Sequence, residues 1–206
     1  EILQECIVNF HFPSDDKGLE GGAYFVGEKG ERYLLGLCEG NWCEPNTMRG
    51  QDKGNGRALL TKFGSLDNGD CAWKVEKELI IPPEAKFEDY ADIAIYDEHI
   101  AIVSQVESAV WIGVLDRKLW EIKGPGVVYN FPRDSQCRKV YCNIEGITFL
   151  DTYRLLTTSD KAKHTKQSDK KKGKKWQPWR CVAKDQAMQV FLLPEPLNQT
   201  SFSSEQ

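Results

Sequence analysis

Six carboxylates recur at matching places in three segments of the chain. Each segment opens with an acid, runs through a short apolar stretch, a turn and a second apolar stretch, and closes with an acid. The opening acids are Glu20, Asp92 and Glu145, and the closing acids are Glu39, Glu107 and Asp160. Ca²⁺ takes about 6–8 oxygen ligands and tolerates irregular geometry, so it is the cofactor that such a set would hold.

The spacing within each segment predicts that the acids meet. In an antiparallel hairpin, the start of the first strand lies beside the end of the second strand. The opening and closing acids are therefore expected at one end of the molecule. Carboxylates crowded together raise one another's pKa unless a cation neutralises them. Two other roles stay open: each acid could accept hydrogen bonds from backbone N–H groups of a neighbouring sheet, or serve in general acid–base catalysis.

The elements that must position these acids are short strands. Apolar runs are separated by Gly, Pro, Asn and Asp, and no stretch of about 12 residues has a helical period. Third strands are predicted to begin near Arg57, Ala109 and Ala187, and a fourth strand ends before Pro82 and before Pro132. Four antiparallel strands repeated in this way are typical of β-propeller blades. A β-sandwich is the alternative, but it does not account for the repeat.

The predicted fold is an all-β propeller with about three four-stranded blades, forming part of a larger ring. Two blades are complete, at 19–83 and 91–132, and a third at 143–193 lacks its outer strand. Residues 4–12 are expected to be the outer strand of a blade whose inner strands are absent, or to complete the third blade. The domain spans 1–194 with a basic insertion at 161–186, and we expect the tail at 195–206 to be disordered.

Other residues are candidates for ligand binding. Trp42 lies between Cys38 and Cys43 at the predicted acidic end, and Lys161 follows Asp160 directly. The lysine-rich insertion contains two tryptophans, which suits either a solvated loop or an arm that contacts an anionic ligand. Trp111 and Trp120 are expected to fill the space between blades.

Charge and hydropathy exclude two classes of partner. The formal net charge of −4 argues against a general nucleic-acid binder, because such binding depends on Lys and Arg neutralising phosphates. No apolar run approaches the roughly 20 residues of a membrane span.

Seven cysteines favour an extracellular protein or one in the lumen of the secretory pathway. Cys38 with Cys43, and Cys137 with Cys142, could close small disulfide loops, whereas the other three cysteines cannot be paired from the sequence. Asn198 begins a tripeptide that is an acceptor for N-glycosylation. The alternative is a cytosolic protein whose cysteines act as small buried hydrophobes.

Two of the repeated segments resemble a known family. Glu20–Tyr24 closing at Glu39, and Glu145–Phe149 closing at Asp160, are similar to the repeated units of phytase-like and SdiA-regulated-type β-propellers. The second segment departs from the motif, with Asp92-Ile93 in place of Glu-Gly. The resemblance implies a ring of six or seven blades, Ca²⁺ at the channel and, in some relatives, phosphoester hydrolysis. Lys161 is the residue that would hold a phosphate beside the calcium.

The sequence favours a binding or scaffold module over an enzyme. It contains no G-x-S-x-G elbow, P-loop or H-E-x-x-H motif, and its three histidines lie away from any Ser or Cys motif. The leading interpretation is a secreted or lumenal β-propeller with an acidic, calcium-binding channel mouth. The alternatives are a calcium-dependent phosphoester hydrolase and a propeller enzyme that acts on sugars or lactones.

Overall fold

The structure is a computed structural model, and it describes residues 4–12, 18–39, 43, 56–137, 139–141, 143–160 and 186–197. These residues form twelve strands and no helix. The strands are β1 (Ile7–Asn9), β2 (Leu19–Val26), β3 (Arg32–Cys38), β4 (Arg57–Ser65), β5 (Cys71–Ile80), β6 (Asp92–Tyr96), β7 (His99–Ser104), β8 (Ala109–Asp116), β9 (Glu121–Asn130), β10 (Ile144–Phe149), β11 (Arg154–Ser159) and β12 (Ala187–Leu192).

The strands form three sheets, none of which closes on itself. Sheet 1 has the order β2-β3-β4-β5-β1, sheet 2 has β6-β7-β8-β9, and sheet 3 has β10-β11-β12. Neighbouring strands are antiparallel throughout, except that β1 is parallel to β5. The predicted all-β class is confirmed, and so are the meander order within each sheet and the three strands of the last sheet.

Apolar residues bury both faces of sheet 2. On one side, Leu35 and Leu60 of sheet 1 pack with Ile102 and Trp111 of sheet 2 in a first core. On the other side, side chains of sheet 2 pack with those of sheet 3 in a second core. That core includes Ala101, Val103, Val110, Ile112, Ile144, Ile147, Phe149 and Leu155. Sheet 2 is therefore the middle layer of three, and burial of apolar surface holds the layers together.

Tryptophans fill the junction between sheets 1 and 2, as the sequence predicts. Trp111 is fully buried there, and its indole Nε1 donates a hydrogen bond to the carbonyl oxygen of Pro125 at 2.8 Å. The Trp120 ring stacks on Phe25 with 4.8 Å between centroids, and Phe25 stacks on Tyr33 at 5.3 Å. This aromatic cluster lies where β2 ends and β3 begins, at the opposite end of those strands from Glu20.

The N-terminal segment corrects one prediction. Residues 4–12 were expected to belong to a blade without inner strands or to complete the third blade. Instead, β1 adds to sheet 1 as a fifth strand, parallel to β5, with Ile7 opposite Ala72. A disulfide between Cys6 and Cys71 links the two strands across 65 positions of sequence.

The cysteine predictions have a mixed outcome. The predicted disulfide between Cys38 and Cys43 is present, and both residues are fully buried. Among the described cysteines, Cys137 is free and exposed, while Cys142 lies outside the described residues. Within the described ranges, the structure has no helix with the length and apolar content needed to cross a membrane.

Candidate ligand-binding rim

The first strands of the three sheets lie next to one another and start at the same end of the molecule. β6 packs against β2 on one side and against β10 on the other. The starts of these strands, together with the ends of β3, β7 and β11 beside them, form a surface that we call the acidic rim. Its carboxylates are Glu20, Glu39, Asp92, Glu145 and Asp160.

Asp92 joins the three sheets at the rim. Its Oδ1 accepts a hydrogen bond from the backbone N–H of Ile93 at 2.8 Å, and its Oδ2 accepts one from the N–H of Ile147 in sheet 3, also at 2.8 Å. The backbone N–H of Gly22 in sheet 1 is a further donor to this carboxylate. Asp92 therefore takes the backbone-accepting role that the sequence left open.

Burial of the half-buried Asp92 raises the pKa of its carboxyl group, and the backbone N–H donors of Ile147, Ile93 and Gly22 oppose that rise. The net direction is upward. The charged carboxylate is thus held in a partly desolvated position by backbone dipoles of all three sheets.

One glycine makes room for Asp92, and a second glycine beside Asp92 makes room for Thr158. A Cβ atom on Gly21 would lie 2.3 Å from Asp92 Oδ1 and 2.7 Å from Asp92 Cα, which no packed structure tolerates. A Cβ on Gly146 would lie 3.8 Å from Asp92 Oδ2 and 2.3 Å from Thr158 Oγ1. Since Gly21 follows Glu20 and Gly146 follows Glu145, the three opening acids converge on one small region.

Glu20 and Glu145 occupy equivalent irregularities in their sheets. The register of β2 with β3 shifts between Leu19 and Gly21, and the register of β10 with β11 shifts between Ile144 and Gly146. Each glutamate is the extra residue of a β-bulge and is exposed. Bulges re-aim side chains, so both carboxylates face solvent at the rim while the following glycine faces Asp92.

The closing acids match in the first and third segments. The N–H of Glu39 donates to the carbonyl oxygen of Gly18 at 3.0 Å, and the N–H of Asp160 donates to that of Asn143 at 3.0 Å. Gly18 and Asn143 each stand two residues before an opening glutamate. Glu39 and Asp160 therefore lie at equivalent ends of β3 and β11, as predicted.

Glu107 is not at the equivalent place in sheet 2. β7 ends at Ser104, and Glu107 lies in the turn that leads to β8. Its Oε2 accepts a hydrogen bond from the Ser104 hydroxyl, and its Oε1 accepts one from the backbone N–H of Glu88 at 3.2 Å. This carboxylate fastens the segment before β6 to the β7–β8 turn.

The segment that Glu107 holds contains a buried tyrosine. The Tyr90 hydroxyl donates to the carbonyl oxygen of Ala85 at 2.9 Å, and the ring fills the space beside Gly56. Burial raises the pKa of Tyr90 to about 12, with the charge of Glu107 acting in the same direction. The phenol is therefore neutral at physiological pH and serves packing.

Gln105 links sheets 2 and 3 at the rim, a role that no pattern in the sequence predicts. Its side-chain Nε2 donates to Asn143 Oδ1 at 2.8 Å and to Glu145 Oε1. Gln105 directly follows the last residue of β7, at the place that Asp160 has after β11. An amide beside an opening acid is thus part of the site in the middle sheet.

Two predicted ligand-binding residues, Trp42 and Lys161, lie outside the described residues, as does the basic insertion over 161–185. Among the residues that the structure does describe, no group of three or more His, Cys, Asp and Glu side chains is arranged to hold a metal ion. The described rim is therefore a surface with exposed carboxylates around a structural aspartate.

No protein-family model, no curated protein and no solved structure matches this chain. The geometry of the rim is accordingly the basis for its functional interpretation.

Proposed function

We propose that this chain is a β-propeller binding module whose three sheets are consecutive blades and whose acidic rim faces the ligand. The supporting observation is Asp92, which accepts backbone hydrogen bonds from sheets on both sides of its own. This contact fixes the first strands side by side, an arrangement in which successive first strands would line a common channel. Further blades would extend the same succession into a ring.

Ca²⁺ is the ligand that we propose for the rim. Asp92 already accepts backbone hydrogen bonds on both oxygens, and no three described carboxylates are arranged to bind one ion together. The metal would therefore be held by no more than two of the exposed carboxylates of Glu20, Glu145 and Asp160, with backbone carbonyls and water. A site with few protein ligands binds weakly. We therefore expect affinity like that of extracellular calcium modules, with Kd of about 0.1–1 mM.

The two disulfides among the described residues support a role outside the cytosol. Cys6 and Cys71 join the N-terminal strand to sheet 1, and Cys38 and Cys43 join the end of β3 to the residue at 43. Such bonds persist in oxidising compartments. We propose a secreted or lumenal protein, for which the acceptor at Asn198 would be a glycosylation site.

Calorimetric titration of the whole chain with CaCl₂ tests the proposed function. The wild type should bind, and Glu145→Gln should weaken binding because it removes a rim charge without changing side-chain size. Glu28→Gln is the matched control, since Glu28 is exposed in the β2–β3 turn at the other end of sheet 1. Absence of binding, or equal binding by Glu145→Gln and the wild type, would refute calcium as the ligand.

Calcium-dependent phosphoester hydrolysis, which the family resemblance implies, stays a prediction. It is tested by turnover of a generic phosphate ester with and without a chelator. The binding-module proposal expects no turnover under either condition, and chelator-sensitive turnover would replace it with the hydrolase.

A further inference from the structure

Sheet 3 presents an edge strand that differs from the outer strands of the other two sheets. Within the described ranges, β12 pairs with β11 on one side and with no strand on the other. Its six residues, Ala187–Leu192, include no charge and no proline, and they pair with β11 in an unbroken register. An uncharged, regular edge is a template for pairing with another strand.

The outer strands of sheets 1 and 2 are protected against such pairing. In sheet 2, β9 contains Glu121, Lys123 and Pro125, and its register with β8 shifts between Ile112 and Val114. In sheet 1, β1 covers part of β5 and is tied to it by a disulfide. Proteins keep sheet edges from pairing with charges, prolines, bulges and covering strands.

The outer edge of β12 carries backbone groups that pair with no other described strand. The N–H of Leu193 donates to the carbonyl oxygen of Tyr153 in the chain before β11, at 2.8 Å. Because antiparallel ladder bonds alternate along a strand, every second residue before Leu193 points its N–H toward β11. The N–H and C=O groups of Met188, Val190 and Leu192 consequently point away from β11.

The side chains of these same three residues form an apolar stripe. Met188 is 75% exposed, Val190 54% and Leu192 74%, on the face of sheet 3 that turns away from sheet 2. Phe191, between two of them, packs into the second core instead. β12 thus offers backbone hydrogen-bonding groups and apolar surface together, which marks an interaction surface.

We propose that β12 pairs antiparallel with β12 of a second copy of this chain. A register centred on Val190 places it opposite Val190 of the second copy, and it places Met188 opposite Leu192 of the second copy. The two outward-pointing sets of N–H and C=O groups then satisfy each other around a two-fold axis. The result is one six-stranded sheet in which both apolar stripes lie on the same face.

The chemistry of the strand favours a second copy as its partner. A strand without charges pairs with itself without electrostatic repulsion, and a two-fold interface requires only that one surface be self-complementary. An edge that recognised a charged peptide would be expected to carry the opposite charge, and Ala187–Leu192 carries none. This inference is independent of the proposed calcium site.

Sedimentation equilibrium of the full chain in the presence of a chelator tests the inference. We expect the mass to rise from the monomer value of 23.5 kDa toward twice that value between about 1 µM and 1 mM, the range of weak complexes. Val190→Pro should abolish association, because it removes an outward N–H while leaving the ladder to β11 intact. Val190→Lys should do the same by placing like charges opposite each other at the axis.

Val127→Lys on β9 is the matched control, because Val127 is 51% exposed on a strand that is already protected. It should associate like the wild type. Circular dichroism identifies any variant that fails to fold. If Val190→Pro fails to fold, the association of Val190→Lys tests the inference instead. A wild type that stays monomeric over the whole range overturns the inference. Association that survives Val190→Lys in a folded protein also overturns it, as does protection of the Val190 amide from hydrogen exchange in a monomer.

Discussion

The junction at Asp92 predicts a measurable loss of stability in Asp92→Asn. The carboxylate accepts backbone hydrogen bonds on separate oxygens, from Ile93 and from Ile147, each at 2.8 Å. Asparagine has one acceptor oxygen and one NH₂ group. Whichever way its amide is turned, one backbone N–H then faces another donor. An unsatisfied buried donor costs about 1–3 kcal/mol.

A second effect partly offsets this loss. Burial raises the pKa of Asp92, which means that the site disfavours the charge that asparagine removes. We therefore expect Asp92→Asn to lower the free energy of unfolding by about 1–2 kcal/mol, in the lower part of the range for a lost partner. Asp92→Ala leaves the N–H groups of Ile93, Ile147 and Gly22 without this acceptor and should cost about twice as much.

Urea denaturation at neutral pH, followed by far-UV circular dichroism, measures these differences. Asp97→Asn is the control, since Asp97 is exposed in the β6–β7 turn with φ of 50°, a conformation that asparagine adopts readily. Its effect should stay within about 0.5 kcal/mol. If Asp92→Asn and Asp92→Ala were both as stable as Asp97→Asn, the carboxylate would not join the sheets.

Three further predictions follow from the same structure. Because the native pKa of Asp92 is raised, the contribution of this carboxyl group to stability is complete below its unfolded pKa and declines as pH rises through its native pKa. The stability lost in Asp92→Asn should therefore be larger near pH 3 than near pH 7, since about this range brackets a raised carboxyl pKa. A larger loss of stability at neutral pH would contradict this prediction. Gly21→Ala should lower the free energy of unfolding in urea by about 1–3 kcal/mol, because the added Cβ overpacks against Asp92. Gly18→Ala is the control and should not destabilise, since no atom lies within 4 Å of its added Cβ. Equal effects of the two substitutions would refute the close approach of Gly21 to Asp92. Replacing Cys6 and Cys71 together by serine should lower the stability by about 4 kcal/mol, from the entropy of closing a loop across 65 positions, and an unchanged urea midpoint would show that β1 does not depend on the disulfide.

The strands and the position of the acids could be predicted because both depend on local pattern. Alternating apolar residues, turn residues and prolines locate strand ends, and hairpin geometry places Glu20 with Glu39 and Glu145 with Asp160. The meander order follows where short turns join neighbouring strands, whereas residues 39–56 between β3 and β4 and residues 160–186 between β11 and β12 are longer connections. These inferences need no knowledge of how the sheets pack.

The position of Glu107 could not be predicted from the number of residues between the opening and closing acids. The second and third segments have the same spacing between opening and closing acids, but they use it differently. The third segment has a bulge at Glu145 and four residues between β10 and β11, whereas β6 pairs with β7 without a register shift across a two-residue turn. The shorter hairpin reaches the rim at Ser104, so Glu107 falls beyond it, in the next turn.

The disulfide between Cys6 and Cys71 could not be predicted for a different reason. Parallel pairing of β1 with β5 brings together strands that are far apart in the sequence, and no local pattern specifies it. The bond of Gln105 to Glu145 likewise depends on how sheet 2 packs on sheet 3. Contacts between sheets are set by tertiary packing, on which a single sequence carries little information.

The departure of the second segment from the Glu-Gly motif has a structural cause. In sheet 1 a glycine follows the opening acid because Asp92 occupies the space where a side chain would be. In sheet 3 a glycine follows it because the Thr158 hydroxyl occupies that space, with Asp92 Oδ2 in van der Waals contact at 3.8 Å. In sheet 2 the acid itself is the side chain that approaches Gly21, so its own neighbour needs no glycine. Ile93 instead turns into the first core, where it is 2% exposed. The glycines of two sheets and the aspartate of the third are therefore parts of one junction, and the outer segments keep a motif that the middle one cannot share.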